Sequence, residues 1–350
     1  MAADTVLVTG AAGFIGSHLA QALLAQGRRV VGMDNFCSFY DPAIKRRNVA
    51  ELAQSPGFEF VEADIRDRKA VFGAMAVHRP GAAVHLAAMA GVRPSIENPD
   101  LYAAVNLSGT VNLLDAAVEH GARRFVFASS SSVYGNNRKV PFAEADPVDE
   151  PISPYAATKK AGELLTHTYW HVHRLPVVCL RFFTVFGPRQ RPDLAIAKFL
   201  QRVSDGRPIP VFGDGSTSRD YTYVGDIVSG VVAALDHCSD HMPGEGGPTG
   251  HRVYNLGGST PVTLSEMIAT IERVVGRRAK IDPRPAQPGD VNRTVADLAR
   301  ARQELGYEPT TRLEEGIARQ WAWLREQGRP IRPAPAAALS PARLNGGSSG

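Results

Sequence analysis

Through the first 182 residues, short apolar runs alternate with longer stretches in which apolar residues recur every three or four positions. The runs at 5–9, 29–33, 58–62, 82–86, 124–128 and 176–181 read as strands, and the amphipathic stretches at 17–26, 43–54, 67–77, 101–119 and 155–173 read as helices. Alternation at this length implies right-handed crossovers and an α/β fold with a doubly wound parallel sheet. The almost uninterrupted apolar character of the strands agrees, because such a sheet is covered on both faces. After residue 181 the texture changes. Gly- and Pro-punctuated segments carry a helix at 193–204, turns at Asp205-Gly206 and Gly213-Asp214-Gly215, and helices at 264–275 and 313–325. These predict a smaller α/β lobe over 183–328, with a return to the first domain near 220–236. The Gly/Pro/Asp-rich stretch 237–251 reads as an exposed loop and the unpatterned 329–350 as a disordered tail.

The chain has 350 residues, enough for one large or two ordinary domains. Nothing in it approaches the roughly 20 apolar residues of a membrane span, and its start shows no signal-peptide pattern, so a soluble cytoplasmic protein is expected. Cys37, Cys179 and Cys238 form no CxxC pair and are expected as free thiols of a reducing compartment. The net charge is +4, but Arg329, Arg332 and Arg343 lie in the tail; without them the balance is +1. Such a body lacks the concentrated basic face that nucleic acid requires. His167, His171 and His173 share one helix, and His237, Cys238, Asp240 and His241 cluster in a loop. Neither group offers a completed ligand set, so no metal is expected.

The first chemical signal is Gly10-Ala11-Ala12-Gly13-Phe14-Ile15-Gly16, which follows a strand and opens a helix. Its GxxGxxG spacing is one residue wider than the standard dinucleotide fingerprint. In the dinucleotide reading Gly10 makes the tight turn, Gly13 admits a pyrophosphate and Gly16 allows close helix–strand packing; the bland reading is a glycine turn. A diphosphate there would meet the helix N-terminus, where unpaired N–H groups and the dipole favour an anion. Eighteen residues past Gly16, Asp34 closes the second apolar run. A carboxylate there accepts both adenosine-ribose hydroxyls and repels a 2′-phosphate, which points to NAD and makes 1–182 a Rossmann domain.

The second signal is Tyr155 with Lys159, four residues apart on one helix face, behind Ser153 as cap and Pro154 at the first position. A phenol is a poor base at its ordinary pKa, but a neighbouring ammonium and a positive nicotinamide would favour the phenolate that hydroxyl-to-ketone oxidation needs. A Tyr–Lys pair alone means little. Here it follows a dinucleotide loop on the same predicted sheet.

With both signals in order, the chain resembles the extended short-chain dehydrogenase/reductases, in the NAD-dependent family of nucleotide-sugar epimerases and dehydratases. The resemblance runs over about 5–325. It rests on the glycine loop, Asp34-Asn35, Asp64-Ile65, His85-Leu86-Ala87-Ala88, Ser129-Ser130-Ser131-Ser132-Val133-Tyr134-Gly135, Tyr155 and Lys159, Arg181 to Pro188, Arg219-Asp220-Tyr221 and Pro288-Gly289-Asp290-Val291. It implies that Ser130, Tyr155 and Lys159 are catalytic. It implies a cofactor site of Gly10, Gly13, Phe14, Ile15, Gly16, Asp34, Asn35, Asp64, Ile65, Leu86, Ala87 and Ala88. It further implies Arg93, Ser131, Lys198, Arg219 and Asp290 on the nucleotide sugar, and a homodimer pairing helices 101–119 and 155–173, with Leu107, Val111 and Leu114 spaced along the first. The family's second diphosphate arginine is replaced by Gln287.

Epimerases, 4,6-dehydratases and uronate decarboxylases all begin with oxidation at C4 of the sugar. The resembling dehydratases carry acidic residues just after the catalytic Ser or Thr, where this chain has Ser131 and Ser132. A 4-epimerase, which needs only room for the keto sugar to turn, is therefore expected. The stretch Phe183 to Leu194 is similar to the uronate-sugar enzymes, with Thr184 where galactose-pathway enzymes usually carry Asn, and Phe39-Tyr40-Asp41 and Gly91-Val92-Arg93 agree. Thr184 and Arg191 together suit a sugar carboxylate. A UDP-glucuronate 4-epimerase is expected first; UDP-glucose 4-epimerase, uronate decarboxylase and a non-catalytic Rossmann protein remain the alternatives.

Overall fold

The computed structural model describes residues 5–238, 250–285 and 293–326. Residues 239–249 of the expected loop, the expected tail, and Gln287 and Asp290 lie outside the described residues.

Seven parallel strands form the central sheet. From one edge they run His251–Leu256, Val177–Phe182, Arg124–Ser130, Ala82–His85, Thr5–Thr9, Arg29–Asp34 and Phe58–Glu62. Successive side chains of a strand point to opposite faces, and the core divides accordingly. Val6, Val8, Val84 and Val126 pack on one face, whereas Leu7, Ala83, Phe125 and Phe127 pack on the other. The sheet is therefore doubly wound. Strand order reverses between Thr5–Thr9 and Ala82–His85, and the crevice beyond their carboxyl ends is where such sheets bind ligands.

Three features depart from the sequence expectations. The edge strand His251–Leu256 was not anticipated: its first half is polar, and only pairing with Val177–Phe182 makes it a strand. The expected helix 101–119 is broken into Pro99–Ala103, a π-turn at Ala104–Ser108 and Gly109–Glu119. At the break the Asn106 amide accepts from Met89 N at 2.8 Å and donates to Thr158 Oγ1 at 3.0 Å, tying the loop after Ala82–His85 to the helix Pro154–His173. Leu114, expected on an outward face, is fully buried under the sheet, while Leu107 and Val111 are half-buried.

The second lobe holds a three-stranded sheet of Pro261–Thr263, Ser218–Tyr223 and Thr184–Phe186 and a parallel pair, Ile209–Phe212 with Ile281–Arg284. Helices Ala195–Ser204, Leu264–Val275 and Leu313–Glu326 pack around them. Between its lobe strands the chain returns to the sheet as Val224–His237, which lies against Phe14–Ala25.

Candidate active site

A cavity of about 630 Å³ opens at the strand-order reversal and runs from the glycine loop to the first strand of the second lobe. One end is built by the loop after Thr5–Thr9. Gly10 has φ +70, and a Cβ there would lie 2.9 Å from Ala87 N; a Cβ on Gly16 would lie 2.1 Å from the Gly10 carbonyl oxygen. Only glycines let the two loops and the helix approach this closely. Gly13 caps Phe14–Ala25 without a side chain, and no acidic residue stands in the first turn. Phe14 and Ile15 of the first turn line the cavity at the positive end of the helix dipole, a fit for a dinucleotide diphosphate.

At the far side of this end lie Asp34, Asn35, Asp64 and Ile65. Burial pushes the Asp34 carboxyl up, opposed by Lys45 with Nζ 3.9 Å away. Asp64 accepts from Arg66 at 2.7 Å and from Asn35 at 2.9 Å, and the Arg66 hydrogen bond leads in holding it down at about 2. Lys45 and Arg66 also line the cavity and were missed in the sequence. Neither belongs to a motif: Lys45 is brought in by the helix Pro42–Leu52 and Arg66 by the turn after Phe58–Glu62.

Leu86, Ala87 and Ala88 line the cavity, as do Ser130, Tyr155 and Lys159. The helix carrying Tyr155 starts as expected: Pro154 is its first residue, and Ser153 Oγ accepts from Ala156 N at 3.1 Å. Gly162 brings this helix onto the sheet, since a Cβ there would sit 2.3 Å from Phe127 Cζ. The close approach lets Lys159 Nζ donate to the Ala128 carbonyl at 2.7 Å, and burial lowers Lys159 to about 8. One turn on, buried Glu163 accepts from Ser129 Oγ at 2.6 Å and pairs with Arg181 through two contacts of 2.8 Å. Burial raises the Tyr155 phenol, countered by the Ser130 hydroxyl and the Arg191 charge. The Lys159 ammonium, turned to the Ala128 carbonyl, is not among the groups that shift the phenol in the absence of cofactor.

Thr184 and Arg191 close the remaining end. Thr184 opens the short strand paired with Ser218–Tyr223. Arg191 follows a turn in which Arg189 has φ +62 and is anchored to Glu51 at 2.5 Å, while His18 Nε2 meets the Pro188 carbonyl at 2.9 Å. The helix beginning at Ala195 is capped by Leu194 with no side-chain bond, so Arg191 is not its cap. Arg93, Ser131, Lys198 and Arg219 lie outside the lining of this cavity; Arg93 stands over the Phe212 ring at 5.5 Å, and Arg219 donates to the Ser218 carbonyl at 3.0 Å. Among the described residues, the only carboxylates that line the cavity are Asp34 and Asp64. No group of three or more candidate metal ligands occurs among the described residues.

The model of the GDP-mannose 4,6-dehydratase family matches residues 7–320. A probable UDP-glucuronate 4-epimerase of Rhizobium meliloti is 42% identical over 339 residues, covering 92% of this chain and 97% of that protein. The crystal structure of the Bacillus cereus UDP-glucuronic acid 4-epimerase, in complex with UDP-glucuronic acid and NAD, superposes with a TM-score of 0.84 at 35% identity over 92% of this chain and 99% of that one. The UDP-glucose 4-epimerase of Thermotoga maritima with UDP-glucose gives 0.81 at 31% over the same shares. By the family match, the identities and the shared architecture, the chain belongs to the GDP-mannose 4,6-dehydratase-type family of extended short-chain dehydrogenase/reductases, which act on nucleotide sugars.

Proposed function

We propose that this protein is a UDP-glucuronate 4-epimerase, converting UDP-glucuronate to UDP-galacturonate and back. The observation that carries the reading is Arg191. A guanidinium stands in the wall of the cavity that also holds Tyr155, and its charge acts on the Tyr155 phenol, while the neighbouring Asp193 carboxylate is bound to that guanidinium and does not line the cavity. The missing acid argues against a 4,6-dehydratase, which needs one to expel the 6-hydroxyl. The intact Ser130, Tyr155 and Lys159 argue against a non-catalytic binding protein.

Gly10, Gly13 and the first-turn amides of Phe14 and Ile15 would hold the diphosphate of NAD, Asp34 its adenosine ribose, and Asp64 with Ile65 its adenine. When bound there, NAD would supply the hydride acceptor for oxidation at C4 and the donor for its reduction from the opposite face. Tyr155 Oη removes the proton of the 4-hydroxyl and gives it back after the sugar has turned. Ser130 steadies the 4-oxygen through its hydroxyl. Lys159, fixed by the Ala128 carbonyl, holds a positive charge in the same cavity lining as Tyr155.

Thr184 and Arg191 grip the C5 carboxylate. The grip has a second purpose, because the 4-keto uronate is a β-keto acid. If its carboxylate aligns with the carbonyl π system, the C5–C6 bond breaks, carbon dioxide leaves, the electron pair passes into a C4 enolate and C5 takes up a proton. Holding the carboxylate out of that alignment favours epimerisation.

The free thiols of Cys37, Cys179 and Cys238, and the lack of a described helix long and apolar enough to cross a membrane, support a cytoplasmic setting. Exposed Leu164 and Val172 on Pro154–His173 support a homodimer through that helix. The deciding experiment compares UDP-glucuronate and UDP-glucose on purified enzyme with products separated. Arg191→Ala should cost the uronate about 30-fold more than the neutral sugar, about 2 kcal/mol for a charge-assisted contact. Equal losses, wild-type preference for UDP-glucose, or a pentose product would overturn the assignment.

A further inference from the structure

Arg191 does not reach the cavity as a free arm. Asp193 Oδ1 accepts from its Nε at 3.1 Å and Oδ2 from its Nη2 at 3.0 Å, so one edge of the guanidinium is fully taken. Its face lies on the Phe39 ring, 4.9 Å from guanidinium carbon to ring centre. The backbone between the two charged residues is a closed turn, with Leu194 N donating to the Arg191 carbonyl at 3.2 Å. Asp193 stands just ahead of the helix Ala195–Ser204, whose N-terminus favours an anion at that place.

Asp193 has no part in the cavity lining. Its side chain is 46% exposed against 17% for Arg191. The carboxylate therefore holds the guanidinium from the solvent side and leaves Nη1 and the second Nη2 hydrogen, the terminal edge, for a ligand. A guanidinium has five donors in a rigid fork, and that edge matches a carboxylate bidentately. The fields agree with this order: the Arg191 charge acts on Tyr155, Tyr102 and Tyr40, whereas Asp193 acts on Tyr102 and Tyr40.

We infer that Asp193 is a specificity-determining positioning residue, which with Phe39 fixes Arg191 so that its terminal edge meets the substrate carboxylate. The inference rests on the uronate reading above. An arginine side chain loses much rotamer freedom when it is clamped. Asp193 and Phe39 take up that cost before substrate arrives, so the benefit appears in uronate binding. The alternative geometry, in which Asp193 occupies the place of the substrate carboxylate and competes with it, predicts the opposite sign.

The test measures kcat and KM for UDP-glucuronate and UDP-glucose with wild type, Asp193→Ala, Asp193→Asn and Arg191→Ala. For Asp193→Ala the ratio of kcat/KM, uronate over neutral sugar, should fall about five-fold, with the loss in the uronate KM. Asp193→Asn, which keeps one acceptor for Arg191, should recover part of it. The carbon dioxide released per turnover of uronate should rise in Asp193→Ala, as a loosened carboxylate samples the aligned geometry. An unchanged ratio, or a lower uronate KM, overturns the positioning role. Arg191→Ala separates the two levels: if it lowers the ratio and Asp193→Ala does not, only this inference fails, whereas equal losses on both sugars in Arg191→Ala defeat the uronate reading itself.

Discussion

Lys159→Met should make the fold more stable at neutral pH while removing turnover. The Lys159 ammonium lies deep between helix and sheet, and burial pulls its pKa from an ordinary 10.5 to about 8. At pH 7 the folded protein therefore carries a charge that would be better left in water, a cost of about 3 kcal/mol. A methionine of similar length removes that cost. It also deprives the Ala128 carbonyl of the donor now 2.7 Å away, which returns about 1–2 kcal/mol. The net gain expected at pH 7 is about 1–2 kcal/mol. Its pH dependence has a definite sign. Between about 8 and 10.5 the unfolded chain holds the lysine proton and the folded one does not, so wild-type stability rises with pH across that window. The advantage of the variant should be full below pH 8, shrink above it, change sign at about pH 9–10 where the remaining charge cost equals the lost hydrogen bond, and leave only that loss above pH 10.5. Urea unfolding of nucleotide-free wild type and variant at pH 7 and pH 10 measures this directly. A variant less stable at pH 7, or a gain that does not change with pH, would refute the argument that the site keeps a desolvated charge at the expense of the fold.

Tyr155→Phe should lower turnover of UDP-glucuronate by at least about 10²–10⁴ with an unchanged circular dichroism spectrum, since it removes a positioned acid–base group and little else. Gly162→Ala should destabilise the protein by about 1–3 kcal/mol, measured by thermal unfolding, although alanine improves helix propensity by about 1 kcal/mol; the new Cβ would be driven against Phe127. Glu163→Ala should cost about 3–5 kcal/mol in urea unfolding, because Arg181, 3% exposed, would be left charged and unpaired.

The parts of this protein legible in its sequence are those whose geometry is local. Strand and helix periods marked six of the seven strands of the sheet, and the glycine loop stood out because φ and close approach at Gly10 and Gly16 constrain residue type directly. Tyr155 and Lys159 share a face by helical spacing alone, and Ser153 and Pro154 mark the start of their helix. Tertiary structure decided what depends on partners far along the chain. His251–Leu256 becomes a strand only against Val177–Phe182. Asn106 sits at the break in its helix with its amide held by Met89 and Thr158, and Leu114 is buried because Gly109–Glu119 packs on the sheet. The Lys159 ammonium goes to Ala128 rather than to the phenol because Gly162 lets Phe127 in. Arg191 could be proposed as a carboxylate ligand from its place in the chain, but the face it lays on Phe39 comes from a loop far along the sequence, whereas Asp193 on its edge belongs to its own turn. A side chain of four rotatable bonds has no preferred direction until such contacts supply one.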